Sequence, residues 1–266
     1  MSEPKLFWYN SEKLRDPIAI VGLPSIGLVG SITSSFLARE LKLGIAAGLT
    51  YPDIQQYAIL QDGEAYPPVR FYAGPMPKAR RKKKAAVEDA PAEEEPKPKK
   101  RVKARDIIVV TSEVAAKPEF VYSFTNDIID IVTSMGARQI IIADGIPNTD
   151  PASMLMGAYS TENAKNLLEE NGIPLMRDGI VRGFSGVALY KGKVDGIDLV
   201  CLISPASPQL PDPRAAAALL EPLSKLIPKL DVDPAPLYKE AEEIDGRIRA
   251  QQTQQPIVNN QDNLYG

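Results

Sequence analysis

The sequence predicts an α/β fold: a single domain with a mostly parallel, mixed sheet and helices on both faces. Three observations predict it. Short, wholly apolar runs such as Ile18-Ala-Ile-Val, Ile107-Ile-Val-Val110 and Ile140-Ile-Ile-Ala143 have the length and β-branching of strands buried on both faces. Segments with helical spacing of apolar residues alternate with these runs, as crossover connections between parallel strands require. Glycine-rich or Asp-Gly turns stand at the carboxyl ends of several runs, where open α/β sheets place their functional loops.

The elements follow in order. Residues 18–22 form a buried strand, and the run from Gly22 to Gly30 (Gly-Leu-Pro-Ser-Ile-Gly-Leu-Val-Gly) is a glycine-rich turn. A helix then runs to about Leu41, with Ile32, Phe36, Leu37 and Leu41 on one face. Strands are expected at 44–49, 54–60 and 69–74, the last two flanking a turn at Asp62-Gly63. Asp106–Thr111 is another buried strand. Pro118 suits the first position of a helix whose stripe is Phe120, Phe124, Ile128, Ile131 and Met135, capped by Gly136. Gln139–Ala143 is a strand that delivers Asp144-Gly145 at its end, and a helix covers about Thr161–Glu170. Strands near 180–182, 186–190 and 197–203 follow. Asp212–Leu230 is helical, with Pro213 at its start and Pro222 inside it. Pro236–Gln251 is a final amphipathic helix through Leu237, Ala241, Ile244 and Ile248, and a polar tail, expected to be flexible, covers 252–266.

Composition narrows the function. The 266 residues include no histidine, which removes the commonest general base and neutral metal ligand and excludes a Ser-His-Asp or Cys-His site. With one cysteine, Cys201, an intrachain disulfide is impossible and a tetrahedral zinc site is not expected. No run approaches the ~20 apolar residues of a membrane span, and the N-terminus lacks a secretory pattern, so the reading is cytoplasmic.

Residues 76–104 form a charged insert of basic and acidic blocks: eleven Lys/Arg against five Asp/Glu, a net of +6 within a chain of net −3. The folded remainder is therefore acidic, at −9. Low hydrophobicity predicts that the insert is disordered. No aromatic residue interleaves its basic blocks, so the reading disfavours nucleic acid as its partner.

Candidate site residues lie at strand ends. Gly22, Gly27 and Gly30 form a possible ligand loop, where backbone N–H groups at a strand-to-helix turn can cradle a phosphate; the bland alternative is close helix–strand packing. The loop lacks the Gly-Lys-Ser/Thr of a P-loop, and its glycine spacing differs from the dinucleotide fingerprint. Asp144 and Asp150 follow one strand and Glu113 another, suited to binding a metal or a ribose and equally to turns and caps. Gly183-Phe-Ser185-Gly186 has the look of a nucleophile elbow out of register; without histidine no catalytic residue is assigned.

The run Ile18 to Gly30, with Thr111-Ser-Glu113, Ile142-Ala-Asp144-Gly145-Ile-Pro and Gly183-Phe-Ser-Gly186, resembles the archaeal proteasome assembly chaperone family, homologues of proteasome assembly chaperone 2. The resemblance spans about residues 6–250 apart from the insert, which is not part of the family pattern. It implies a phosphorylase-like α/β fold, a homo-oligomer, and assistance in assembling proteasome α-subunits. It implies no cofactor, no metal and no enzymatic activity. Some members were once grouped with ATP-dependent ligases, which keeps open the alternative of a nucleotide-like ligand at the Gly22–Gly30 loop and Asp144. The last residues, Leu264-Tyr265-Gly266, are similar to the hydrophobic–tyrosine–any-residue (HbYX) tail that proteasome activators insert between α-subunits. The resemblance thus implies a chaperone, or an ATP-independent activator or adaptor, that docks on the proteasome α-ring through this tail.

Overall fold

The apolar runs assemble into one eight-stranded sheet whose four central strands are parallel. The computed structural model describes residues 4–10, 13–52, 57–76, 105–149 and 153–254, with side chains described as far as Ala250. The chain opens with β1 (Lys5–Trp8), β2 (Ile18–Gly22), a 3₁₀ turn at Ile26–Leu28, α1 (Val29–Glu40) and β3 (Gly44–Thr50). It continues through β4 (Ile59–Gln61), β5 (Glu64–Tyr66), β6 (Val69–Pro75), β7 (Asp106–Ser112), α2 (Val121–Ser134) and β8 (Gln139–Pro147). It closes with β9 (Met156–Tyr159), α3 (Glu162–Glu170), α4 (Gly183–Asp195), β10 (Asp198–Ala206), α5 (Pro213–Leu226) and α6 (Ala235–Gln254). None of the described helices is long and apolar enough to cross a membrane.

The strand order is β1-β3-β6-β7-β2-β8-β10-β9. The pairs β7–β2, β2–β8 and β8–β10 are parallel, whereas β1, β3 and β6 extend one side antiparallel and β9 closes the other. Because strand side chains alternate, the central runs feed two cores. Ile18, Ile20, Ile107, Val109, Ile141 and Val200 face one core, covered by α1, α3, α5 and Leu237 of α6. Ala19, Val21, Ile108, Val110, Ile140 and Cys201 face the other, covered by α2 and α4. This two-sided burial is why the runs are apolar throughout rather than alternating.

Several local expectations change. The segment 186–190, expected as a strand, lies inside α4, whose buried Ser185, Ala188 and Gly192 recur at helical spacing and whose end is Gly196 in the left-handed region (φ 69°). The Asp62-Gly63 turn does close a hairpin, with φ of 52° and 84° at the two residues, but its arms are β4 and β5 in a separate two-stranded sheet. The sheet is mixed because of β1, β3, β6 and β9, and the sequence reading did not anticipate β1 or β9. Helix α2 begins at Val121 after a turn over Pro118–Phe120, and its buried stripe is Phe124, Ile128, Ile129 and Val132. Met76, placed in the insert by the sequence reading, is buried against the α1 core; residues 77–104 lie outside the described residues. Helix α6 continues to Gln254, and Leu264, Tyr265 and Gly266 also lie outside the described residues.

Arg70 on β6 is 2 % exposed. Its guanidinium donates to both carboxylate oxygens of Glu113 (Nη1–Oε2 2.8 Å), to Tyr72 Oη (3.1 Å) and to the carbonyls of Pro67 and Pro68 (3.3 Å each). Glu113 is thus the counter-ion of a buried arginine. The pair is asymmetric: if Arg70 is removed, Glu113 can still reach water, whereas the reverse deletion strands a buried cation. Glu113→Ala should therefore cost about 3 kcal/mol of unfolding free energy and Arg70→Met only about 1 kcal/mol, read from urea denaturation midpoints. Equal costs would contradict this asymmetry.

Candidate functional site

Three glycines bring α1 and its leading turn onto the sheet. A Cβ on Gly22 would overlap the Gly30 carbonyl oxygen and lie 2.8 Å from Ser34 Cβ. One on Gly30 would strike the Leu23 carbonyl and lie 2.7 Å from the Ala143 carbonyl oxygen. One on Gly145 would collide with the Ile26 carbonyl. Gly27 serves a different purpose: it holds a left-handed conformation (φ 62°), and its carbonyl accepts from Asp212 N–H at 2.8 Å, joining the turn to the start of α5. Gly22, Gly27 and Gly30 therefore make packing contacts, and within their loop Leu23, Pro24, Ser25 and Ile26 line the neighbouring cavity.

That cavity encloses about 720 Å³ at the carboxyl ends of β2, β8 and β10. Ile142, Ile146, Met176, Ile180, Phe184 and Ile203 form much of its wall, and Asp144, Ser25, Ser185 and Arg182 are its polar lining residues. Asp144 lies within β8, which extends past the expected end at Ala143 to Pro147. Strand alternation sends its side chain toward α4. There Ser185 Oγ donates to Oδ2, Gly145 N–H donates to Oδ1 at 2.8 Å, and the Ser25 hydroxyl is a third partner. Ser25 Oγ also accepts from Gly30 N–H at 3.3 Å. One carboxylate thus links β8, α4 and the turn before α1.

Burial raises the Asp144 carboxyl above its ordinary value, and the bonds from Ser185, Gly145 and Ser25 pull it partly back. Cys201 is fully buried in the core that α2 and α4 cover. Its thiol is pushed well up, first by burial and then by the Asp144 charge, so it is an inert core residue. Among the described residues, no group of three or more Cys, Asp or Glu side chains could hold a metal ion. Asp150 lies outside the described residues. Sequence reasoning found Asp144 and noticed Ser185 only as the centre of a nucleophile-elbow look-alike, set aside for want of histidine; it did not pair the two because α4 reads as strand, although Gly196 after Asp195 was the available helix-end signal.

A model of the PAC2 family matches residues 19–252. The chain belongs to the PAC2 family. An uncharacterised protein of Methanocaldococcus jannaschii is 25 % identical over 239 residues, covering 89 % of this chain and 86 % of that one. The crystal structure of Pyrococcus furiosus PbaA, described as an archaeal homologue of proteasome-assembly chaperone, matches with a TM-score of 0.72 and 25 % identity, covering 95 % of this chain and 97 % of PbaA. That of P. furiosus PbaB, described as an archaeal proteasome activator, has the same fold with a TM-score of 0.71 and 23 % identity, covering 95 % and 100 %. This PAC2 chain therefore carries the family fold along nearly its whole length, as the glycine-rich run from Ile18 to Gly30 implied.

Gly30→Ala, which drives a Cβ into two carbonyls, should lower the unfolding free energy by roughly 3 kcal/mol in urea denaturation. Gly44→Ala, where nothing lies within 4 Å of the new Cβ, should stay within about 0.5 kcal/mol of wild type. Asp144 sets a pH dependence. An acid whose pKa is higher folded than unfolded binds more protons in the native state between the two values, so ionisation erodes stability as pH rises through that interval. For Asp144 the interval opens at 3.8. Asp144→Asn should gain stability relative to wild type as pH rises from below that value, the difference levelling off above the folded pKa. A difference that is flat or narrows with rising pH, in unfolding curves taken from acid to neutral, would refute the assignment.

Proposed function

We propose that this chain is a proteasome assembly chaperone or an ATP-independent activator or adaptor, a homo-oligomer that docks on the proteasome α-ring. The observation that carries the reading is the full-length likeness to PbaA, together with PAC2 family membership across residues 19–252. The docking element is Leu264-Tyr265-Gly266. With Gly266 as the final residue, its α-carboxylate pairs with a cation, the Tyr265 ring and hydroxyl fill an amphipathic slot, and Leu264 adds apolar area. Residues 255–263 connect the tail to α6 and span at most about 30 Å when extended. Several tails on one oligomer bind an α-ring with avidity, so each contact can be weak. No residue in this role is catalytic, and the protein acts in the cytoplasm.

The test is native mass spectrometry with a purified archaeal proteasome core particle. Full-length protein ending at Gly266 should bind, and a variant lacking Leu264–Gly266 should lose at least tenfold in affinity. Binding unchanged by the truncation would move the interface to the folded domain, and absence of binding by either protein would overturn the proposal.

A further inference from the structure

The cavity at the strand ends has a use that tail docking does not require. Its volume of about 720 Å³ falls in the range of small-molecule sites. Its position, outside the carboxyl ends of parallel strands, is where open α/β sheets bind ligands. The walls are apolar, from Ile142, Ile146, Met176, Phe184 and Ile203, and among the described residues the single acidic one in the lining is Asp144.

The surroundings of Asp144 are one-sided. A carboxylate offers about four acceptor positions. The Gly145 N–H and the Ser185 hydroxyl take two of them, and the Ser25 hydroxyl stands beside the same carboxylate; all three groups are neutral. Among the described residues no Lys or Arg nitrogen lies within 4.0 Å of its oxygens. Arg182, the one cationic residue of the lining among the described residues, is exposed. Elsewhere in the molecule an enclosed charge is matched, as Arg70 is by Glu113. A half-buried carboxylate with no Lys or Arg partner among the described residues favours any cation that reaches it. A phosphate would bring a second negative charge against Asp144, and the Gly30 N–H that could have helped to cradle it donates instead to Ser25 Oγ.

We propose that this cavity binds a small primary amine on an apolar body, its ammonium donating to Asp144 and its hydrocarbon lying among Ile142, Ile146, Met176, Phe184 and Ile203. The site is independent of Leu264–Gly266, so either proposal can fail without the other.

The test uses the full chain with isotope-labelled isoleucine and methionine methyl groups, titrated with phenethylamine and with its neutral counterpart 2-phenylethanol. The amine should shift the methyl signals of Ile142, Ile146, Met176 and Ile203 and bind roughly tenfold or more tightly than the alcohol. Asp144→Asn should bring the amine down to the affinity of the alcohol, and acidification that protonates Asp144 should weaken the amine alone. Equal binding of amine and alcohol by the wild type overturns the proposal, as does an amine preference that survives in Asp144→Asn, or the absence of shifts at millimolar ligand. If the Asn variant loses its native signal dispersion, the wild-type comparison and its pH dependence decide the matter.

Discussion

Helix α1 lies so close to strands β2 and β8 that backbone meets backbone, and much of the site depends on this contact. The approach exists only because Gly22, Gly30 and Gly145 carry no side chains where Gly30, Leu23, Ala143 and Ile26 carbonyls intrude. It carries the turn before α1 over the end of β8 and so places Ser25 beside Asp144. A larger residue at any of the three positions would lift the helix off the sheet and separate the two. The loop's glycines therefore act on the site indirectly, through the position they give to Ser25.

From the opposite face, α4 reaches the same carboxylate through Ser185. Asp144 is a junction of elements distant in sequence, and it holds that place against a desolvation cost that raises its pKa. Apolar groups of similar shape would stabilise this end of the sheet at lower electrostatic cost. Arg70 and Glu113 form a second charged junction near the antiparallel side of the sheet, and there the charges are paired. Among the described residues, the contrast between a matched charge and one with no Lys or Arg partner singles out Asp144 chemically.

Legibility in the sequence followed the range of the interactions. β2, β7, β8 and β10 were plain because strands buried on both faces need uninterrupted apolar runs. α1, α3 and α5 were plain because an amphipathic face repeats every three to four residues. β1 was missed because all four of its residues are exposed, so its alternation carries no burial signal. β4 and β5 were partly misplaced because three-residue arms are too short for a pattern. α4 was misread because Val187, Leu189 and Ser185 mimic strand alternation, while the buried small residues Ala188 and Gly192 are hydrophobically quiet.

By itself the sequence determined the α/β class, most of the core strands and helices, the absence of histidine chemistry and the importance of the glycine-rich run, because each is written in local composition or spacing. Only the tertiary structure decided that the glycines serve helix–strand packing, that Glu113 belongs to Arg70, and that Asp144, Ser25 and Ser185 meet at one apolar cavity. The meeting at the cavity depends on contacts between residues 41 to 119 positions apart in the chain, as from Ser185 to Asp144 and from Ser25 to Asp144. Contacts at that range are fixed by strand order and helix placement, which no local pattern encodes.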